Sequence, residues 1–274
     1  MEGTLVRKRV IFGLLHDGEH FCISRNFRLQ KVGDATWLKD NFGFDALSSV
    51  VDELAFIYVG FDKPTIQFWS DIALICERCF VPVSVGGGIR TIGDATEAIS
   101  RGADRLILNY LFVTESDLVK QMALKFGRQA LIGSLDLIRM ESLSCNIYGL
   151  RKDKEMPGSV DLLPLRPIKS EWVGELLIRS VDKDGTGQGL DLEMLDSFSS
   201  LDIPLIIAGG SGNGNHLKEA LLHEQVAAVL TSNLFNFIGH GLSEARQELL
   251  RCGLNLAKRE PLSDMIIRKT EADG

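Results

Sequence analysis

Val81-Pro82-Val83-Ser84-Val85-Gly86-Gly87-Gly88 returns later in the chain as Ile203-Pro204-Leu205-Ile206-Ile207-Ala208-Gly209-Gly210, at an offset of 122 residues. Each copy is a short apolar run ending in glycines, which reads as a buried strand followed by a tight turn. The repeat extends beyond these two stretches. Arg105–Asn109 matches Ala228–Ser232 at an offset of 123, Leu15 matches Asp136 at 121, and Tyr58 matches Asp182 at 124. Four matches at nearly one offset point to a duplicated unit rather than to chance. Each unit holds four candidate strands, Arg9–Leu15, Leu54–Gly60, Pro82–Gly86 and Arg105–Asn109 in the first, then Ala130–Asp136, Glu175–Asp182, Leu205–Ala208 and Ala227–Thr231 in the second. Most lack polar/apolar alternation, as expected of parallel strands covered on both faces.

Helical patterns lie between them at Ile66–Arg78, Ile92–Arg101, Ser116–Phe126, Leu192–Ser199, His216–His223 and Leu242–Arg251. Eight strands alternating with helices predict one α/β domain over residues 1–274, a (β/α)8 TIM barrel built from two half-barrel repeats. An open doubly wound sheet stays compatible with the pattern alone. Leu165–Gly174 leaves little room for a full crossover helix, and Pro167 fits there only in a first turn. Leu254–Gly274 is charged and patternless, and reads as a surface tail.

Of the 274 residues, 45% are hydrophobic and 24% charged, the balance of an ordinary soluble globular protein. A net charge of −7 argues against a nucleic-acid or anionic-membrane footprint. Any phosphate binding must therefore come from local backbone geometry. The basic residues Arg7-Lys8-Arg9 have no apolar signal core behind them, and no window reaches the length of a membrane span. Five scattered cysteines, an odd number, predict reduced thiols and a cytoplasmic setting.

Gly87 and Gly88, and likewise Gly209 and Gly210, stand between a strand and a helix. Glycines there let backbone N–H groups approach an anion at a helix start. Tight turns need glycine for steric reasons as well. Asn109 in one half and Ser232-Asn233 in the other favour phosphate binding. Barrels commonly seat a phosphate after strands seven and eight. The repeat adds a second site after strands three and four, hence a ligand with two phosphates. Asp136 ends the fifth strand, where a carboxylate can serve as general acid or base; a turn or cap role is its structural alternative. Asp182, Asp184, Gly185 and Thr186 form a neighbouring loop that can touch the ligand or simply make a turn. Cys76 and Cys79 have metal spacing but no second pair, so neither a metal nor a cofactor is expected. His16 and His20 could reach a ligand, although loop histidines are commonly just solvated.

These residues resemble one family closely, the cyclase subunit of imidazole-glycerol-phosphate synthase, from about Arg9 to about Asn255. The resemblance rests on Val85–Ile89, Arg101-Gly102-Ala103-Asp104, Ser180–Thr186 and Gly209-Gly210-Ser211-Gly212. It implies a barrel paired with a glutaminase at its N-terminal face. Ammonia from that partner would cross the barrel and close an imidazole ring on a two-phosphate ribotide at the C-terminal face. It also implies two acid/base aspartates. The one on strand five is kept as Asp136, while the one on strand one falls on Leu15. The family's strand-two aspartate falls on Tyr58, and the threonine after strand four on Tyr110. Losing one of two acid/base groups predicts a rate lower by on the order of 10²-fold or more.

An alternating ring at the ammonia entrance, by the same resemblance, is Arg9, Glu53, Arg105 and Glu175, with one Lys-to-Arg change. Ser24-Arg25-Asn26-Phe27-Arg28-Leu29-Gln30-Lys31-Val32-Gly33-Asp34 resembles a branch that serves amidotransferases for amidino sugars of bacterial surface polysaccharides. Three readings follow: an ammonia-using cyclase-subunit homologue, a docking and conducting subunit without cyclase activity, and a phosphosugar isomerase of the related barrel type. Leu15 counts against the isomerase, which also wants an aspartate there.

Overall fold

The computed structural model describes residues 7–41, 44–60, 62–77, 79–139, 145–148, 166–232 and 241–257. All eight expected strands form, as β1 (Arg9–His16), β4 (Glu53–Tyr58), β5 (Val83–Gly86), β6 (Arg105–Leu108), β7 (Leu131–Arg139), β9 (Glu175–Ser180), β10 (Leu205–Ala208) and β11 (Val226–Thr231). They pair in parallel around a ring that β1 and β11 close, with Arg9 beside Ala228 and Phe12 beside Thr231. The fold is a closed (β/α)8 barrel, and the open sheet is excluded. A hairpin, β2 (Phe21–Arg25) and β3 (Arg28–Gly33), extends β1, and β8 (Cys145–Ile147) pairs antiparallel with β7.

Strand alternation separates two apolar layers. Ile11, Ala55, Ile107, Ile132, Leu177 and Ala228 face the lumen, whereas Val10, Phe12, Leu54, Phe56 and Leu106 pack outward beneath the helices. The outer layer closes under α3 (Ile66–Cys76), α4 (Ile92–Ser100), α5 (Tyr110–Thr114), α6 (Ser116–Phe126), α8 (Gly214–Leu222) and α9 (Gly241–Arg251). Phe56, Phe68 and Phe198 are fully buried there, each worth roughly 1.5–3 kcal/mol of transfer free energy. Thr91 starts α4 with a reciprocal capping box to Asp94, and Asn213 caps α8 through His216 N.

The first crossover, absent from the sequence reading, is two short helices, α1 (Ala35–Asn41) and α2 (Phe44–Val50). Each has about two turns, too few for a 3.6-residue repeat to stand out. Leu192–Phe198 is a 3-10 turn rather than an α-helix. Over seven residues a spacing of three, which sets Leu195 against Phe198, is hard to tell from 3.6. Between β7 and β9 the described residues include α7 (Arg166–Lys169), with Pro167 in its first turn. The stretch read as a tail starts inside the packing: Leu256 and Ala257 are buried, and Ala257 O accepts from Arg246 at 2.6 Å. The rest of that stretch, 258–274, lies outside the described residues.

The duplication is visible in backbone packing. A Cβ on Gly87 would lie 1.9 Å from Tyr58 O, and one on Gly209 2.5 Å from Ser180 O. Tyr58 therefore corresponds to Ser180, not to Asp182: the offset is 122, two fewer than the sequence match gave. A slip of two keeps every side chain on its own face, so the apolar pattern could not expose it.

Candidate active site

Each ring residue is the first residue of its strand, so all four stand at the N-terminal face. Odd-numbered positions of these strands face the lumen, and the ring residues meet there. Arg9 reaches Glu53 at 3.2 Å and also pairs with Glu175; Arg105 reaches Glu53 at 3.3 Å and also pairs with Glu175. Four ion pairs thus alternate around a closed loop, with Ser84 Oγ donating to Glu53. Glu53 is 3% exposed and Glu175 13%. Burial would push the Glu175 carboxyl up, but the guanidiniums of Arg9 and Arg105 outweigh it and hold the group below the usual range.

Toward the C-terminal face the lumen becomes largely apolar, through Ile11, Ala55, Ile107, Ile132 and Leu177, with the buried Ser134 beside Leu177. Polarity returns at the mouth, unevenly. Leu15 closes the first-half side and is buried in the lumen cluster. Asp136 holds the matching position of the second half. Asn109 Nδ2 donates to its Oδ2 at 3.2 Å, while its Oδ1 is buried with no hydrogen-bond partner. Burial pushes the Asp136 carboxyl up; Arg179 and Asn109 oppose the rise, and Asp184 adds to it. A carboxylic group of this kind can exchange a proton nearer neutral pH than an exposed aspartate can.

The glycine turns hold as expected in shape. Gly87, Gly88, Gly209 and Gly210 all have positive φ, from 69° to 99°. Their missing side chains are also required by packing, since a Cβ on Gly88 would strike Pro64 and one on Gly210 would strike Gly189 O. A cavity of about 60 Å³ lies beside Gly87 and Gly88, walled by Lys63, Pro64 and Asp94. Ser232 Oγ sits over Gly13 in the lumen, where a Cβ would come within 2.6 Å of it. Asn233 lies outside the described residues.

The strand-nine loop is engaged by the hairpin. Asp184 Oδ2 accepts from Ser24 Oγ at 2.6 Å and from Phe27 N at 3.1 Å; its carbonyl accepts from Asn26 N. Asp182 Oδ2 accepts from Arg139 N at 2.8 Å. Thr186 Oγ1 donates to Lys183 O, which closes the turn, and Gly185 at φ +68° fits beneath the Ser24 carbonyl. Asn26 and Phe27 both lie in the left-handed region, at φ 48° and 59°. Such a two-residue turn favours Asn-Gly, and Phe27 is held there by the Asp184 contacts at a cost of about 1–2 kcal/mol.

One sequence candidate goes elsewhere. His16, which could have reached a ligand from a loop, is a buried strand residue turned outward; its Nε2 lies 2.9 Å from Asp71 and its Nδ1 accepts from Gly18 N. Tyr58 likewise turns away from the lumen to pack against Phe68. Burial pushes the Cys76 thiol up to about 11. Among the described residues no group of three His, Cys, Asp or Glu is placed to hold a metal, and no helix is long and apolar enough to cross a membrane.

Arg179 was missed. Its guanidinium stands at the mouth beside Asp136, with Nε 3.7 Å from Oδ1, and lies over the Phe27 ring at 5.7 Å. The signal was available: in Glu175-Leu-Leu-Ile-Arg179, two charges share one face of an otherwise apolar strand.

Comparison with known proteins agrees with this architecture. The family described as Histidine biosynthesis protein matches residues 51–239. The chain belongs to that family. It is 34% identical over 253 residues to the putative imidazole glycerol phosphate synthase subunit hisF2 of Parasynechococcus marenigrum (strain WH8102), covering 89% of this chain and 91% of that protein. It is 30% identical over 210 residues to the imidazole glycerol phosphate synthase subunit HisF of Streptococcus mutans serotype c (strain ATCC 700610 / UA159), covering 75% of this chain and 82% of that protein. The chain is a homologue of this synthase subunit.

Proposed function

We propose that this chain is the ammonia-receiving barrel subunit of a glutamine-dependent synthase of the imidazole-glycerol-phosphate type. The observation that carries the reading is the closed ring of four ion pairs set directly beneath an apolar lumen. A glutaminase docked at the N-terminal face would release ammonia against the ring. Neutral ammonia can cross an apolar lumen, whereas an ammonium ion would pay a desolvation cost that the lumen's side chains cannot offset. At the C-terminal mouth the nitrogen would meet a phosphorylated ligand, its phosphates on the glycine turns at Gly87-Gly88 with Asn109 and at Gly209-Gly210 with Ser232 and Asn233. Asp182, Asp184, Gly185 and Thr186 would border the second phosphate.

Cyclisation of a two-phosphate ribotide remains within reach of Asp136, whose raised pKa suits proton exchange. Leu15 removes the second group, so ring closure is expected on the order of 10²-fold or more below a two-aspartate site. Supply of ammonia to a separate amidotransferase, as in amidino-sugar assembly for surface polysaccharide, is the second reading, and Leu15 is the observation that favours it. The deciding assay incubates the chain and its glutaminase with the ribotide and either glutamine or ammonium salt. Stimulated glutamine hydrolysis with slow ring closure is the expected outcome. Failure to bind any glutaminase would sink both readings.

A further inference from the structure

One polar atom at the mouth lacks the partner its burial calls for, and the charged group beside it is only loosely paired. Asp136 Oδ1 is buried without a hydrogen bond. Arg179, with its side chain 15% exposed, carries five N–H donors, yet among the described residues its contacts are one carboxylate oxygen at 3.7 Å and the face of Phe27. An arginine–carboxylate pair closes at about 2.7–2.9 Å when the two groups serve each other. These two stand adjacent on paired strands, at Asp136 beside Arg179, and fall short of that distance. An unmet buried acceptor is costly, and a carboxylate of that kind beside a loosely paired guanidinium at one opening is a receptor for a ligand that satisfies both.

The position is separate from the glycine turns. Arg179 lies on the strand face that carries Glu175 and Leu177, pointing into the lumen, and its counterpart in the first half is Ile57. The Phe27 ring, braced edge-on by Tyr148 at 5.3 Å, holds the guanidinium from the hairpin side. We infer that Arg179 is a specificity-determining residue, which with Asp136 binds an oxyanion that carries a neighbouring O–H or N–H, at the centre of the mouth between the two rim sites. The guanidinium fork takes the oxyanion, and Asp136 Oδ1 accepts from the neighbouring donor. A ligand charged only at its two ends leaves Arg179 unused. The fitting class is a hydroxy- or amino-carboxylate, or a phosphate ester with a vicinal hydroxyl. This inference is independent of the route taken by ammonia.

The test titrates glycolate, acetate and inorganic phosphate in turn into the whole protein, following the arginine Nε–Hε resonances by NMR. Arg179 is assigned by the signal lost in Arg179→Lys. Glycolate should shift that resonance saturably and bind about tenfold more tightly than acetate, which lacks the donor for Asp136. Arg179→Lys keeps the charge without the fork and should weaken glycolate about tenfold, while phosphate held at the rim changes less than about twofold. If phosphate suffers the tenfold loss instead, the oxyanion is a phosphate and the assignment of Arg179 stands. An Arg179 resonance that none of the three anions moves in the unmodified protein would overturn it, without recourse to any variant.

Discussion

The two half-barrels share a backbone and have parted in their chemistry. At the N-terminal face the first half supplies Arg9, Glu53 and Arg105, and the second supplies Glu175 alone. At the C-terminal mouth the roles reverse, with Asp136 and Arg179 from the second half facing Leu15 and Ile57 from the first. Between these ends the scaffold matches residue for residue, from the Glu53 and Glu175 strand starts to the carbonyls that crowd Gly87 and Gly209. The difference teaches that close packing preserves a duplicated strand-and-turn frame, whereas side chains lining the lumen are free to diverge. Polar function is then concentrated at whichever half retains it.

The sharpest way to break the comparison is at the ring. Glu53 is almost wholly buried and answers two arginines and Ser84. Glu53→Ala leaves two guanidiniums each with one partner, and should cost about 3–5 kcal/mol in urea denaturation. A loss under about 1 kcal/mol would mean that water already screens the ring, and that the first half's charges at this face carry little structural weight.

Restoring the missing carboxylate tests the other end. Leu15→Asp should raise ring closure on the two-phosphate ribotide by on the order of 10²-fold, equivalent to about 2.7 kcal/mol of barrel-mouth catalysis. Product formation under saturating ammonium salt measures it without involving the glutaminase. An unchanged rate would show that Arg179 or the hairpin, rather than Leu15, sets the mouth apart. A third comparison addresses the shared frame directly. Gly87→Ala and Gly209→Ala both force a Cβ at positive φ against a strand-end carbonyl, and each should cost about 2 kcal/mol. The first should lose more, because its contact is 1.9 Å against 2.5 Å. Thermal melts of the two variants settle the order.

What sequence could and could not reveal follows the same division. The strands and their number were readable because buried parallel strands leave uninterrupted apolar runs, and because the repeat doubled every signal; closure needed the pairing of β1 with β11, since an open sheet gives the same pattern. The four ring residues were readable through the resemblance to the cyclase family, and structure adds that they pair in a closed loop. Arg179 was less readable, because a single arginine at a strand end carries no motif of its own, although it shares a face with Glu175. The role of Asp184 as an anchor for the hairpin was not readable: Ser24 and Phe27 lie some 160 residues away in the chain. No local pattern encodes such a contact. Tyr58 was misaligned for a related reason, since a two-residue slip costs nothing in strand parity.

The smallest expected effect is also the most discriminating, because the two ends of the lumen should answer pH with opposite signs. Glu175 is held below its ordinary 4.5 by Arg9 and Arg105, which outweigh its burial. Its ionised form favours the folded state, so its contribution is complete above pH 4.5 and fades as the pH falls through its lowered folded value. Asp136 is raised above its ordinary 3.8, mainly by burial. Its contribution is complete below pH 3.8 and is lost as the pH rises through its raised folded value. Glu175→Gln should therefore destabilise at neutral pH and approach the parent protein in acid. Asp136→Asn should match the parent in acid and become the more stable of the two as the pH climbs. Urea midpoints across pH 3 to 8 for the parent and both variants would test this. Two curves that diverge in the same direction would break the comparison, since they would place both carboxyl groups in the same electrostatic setting. Curves of opposite sense would mean that one end of the barrel is stabilised by its charges, while the other is held at a cost that only a bound ligand would relieve.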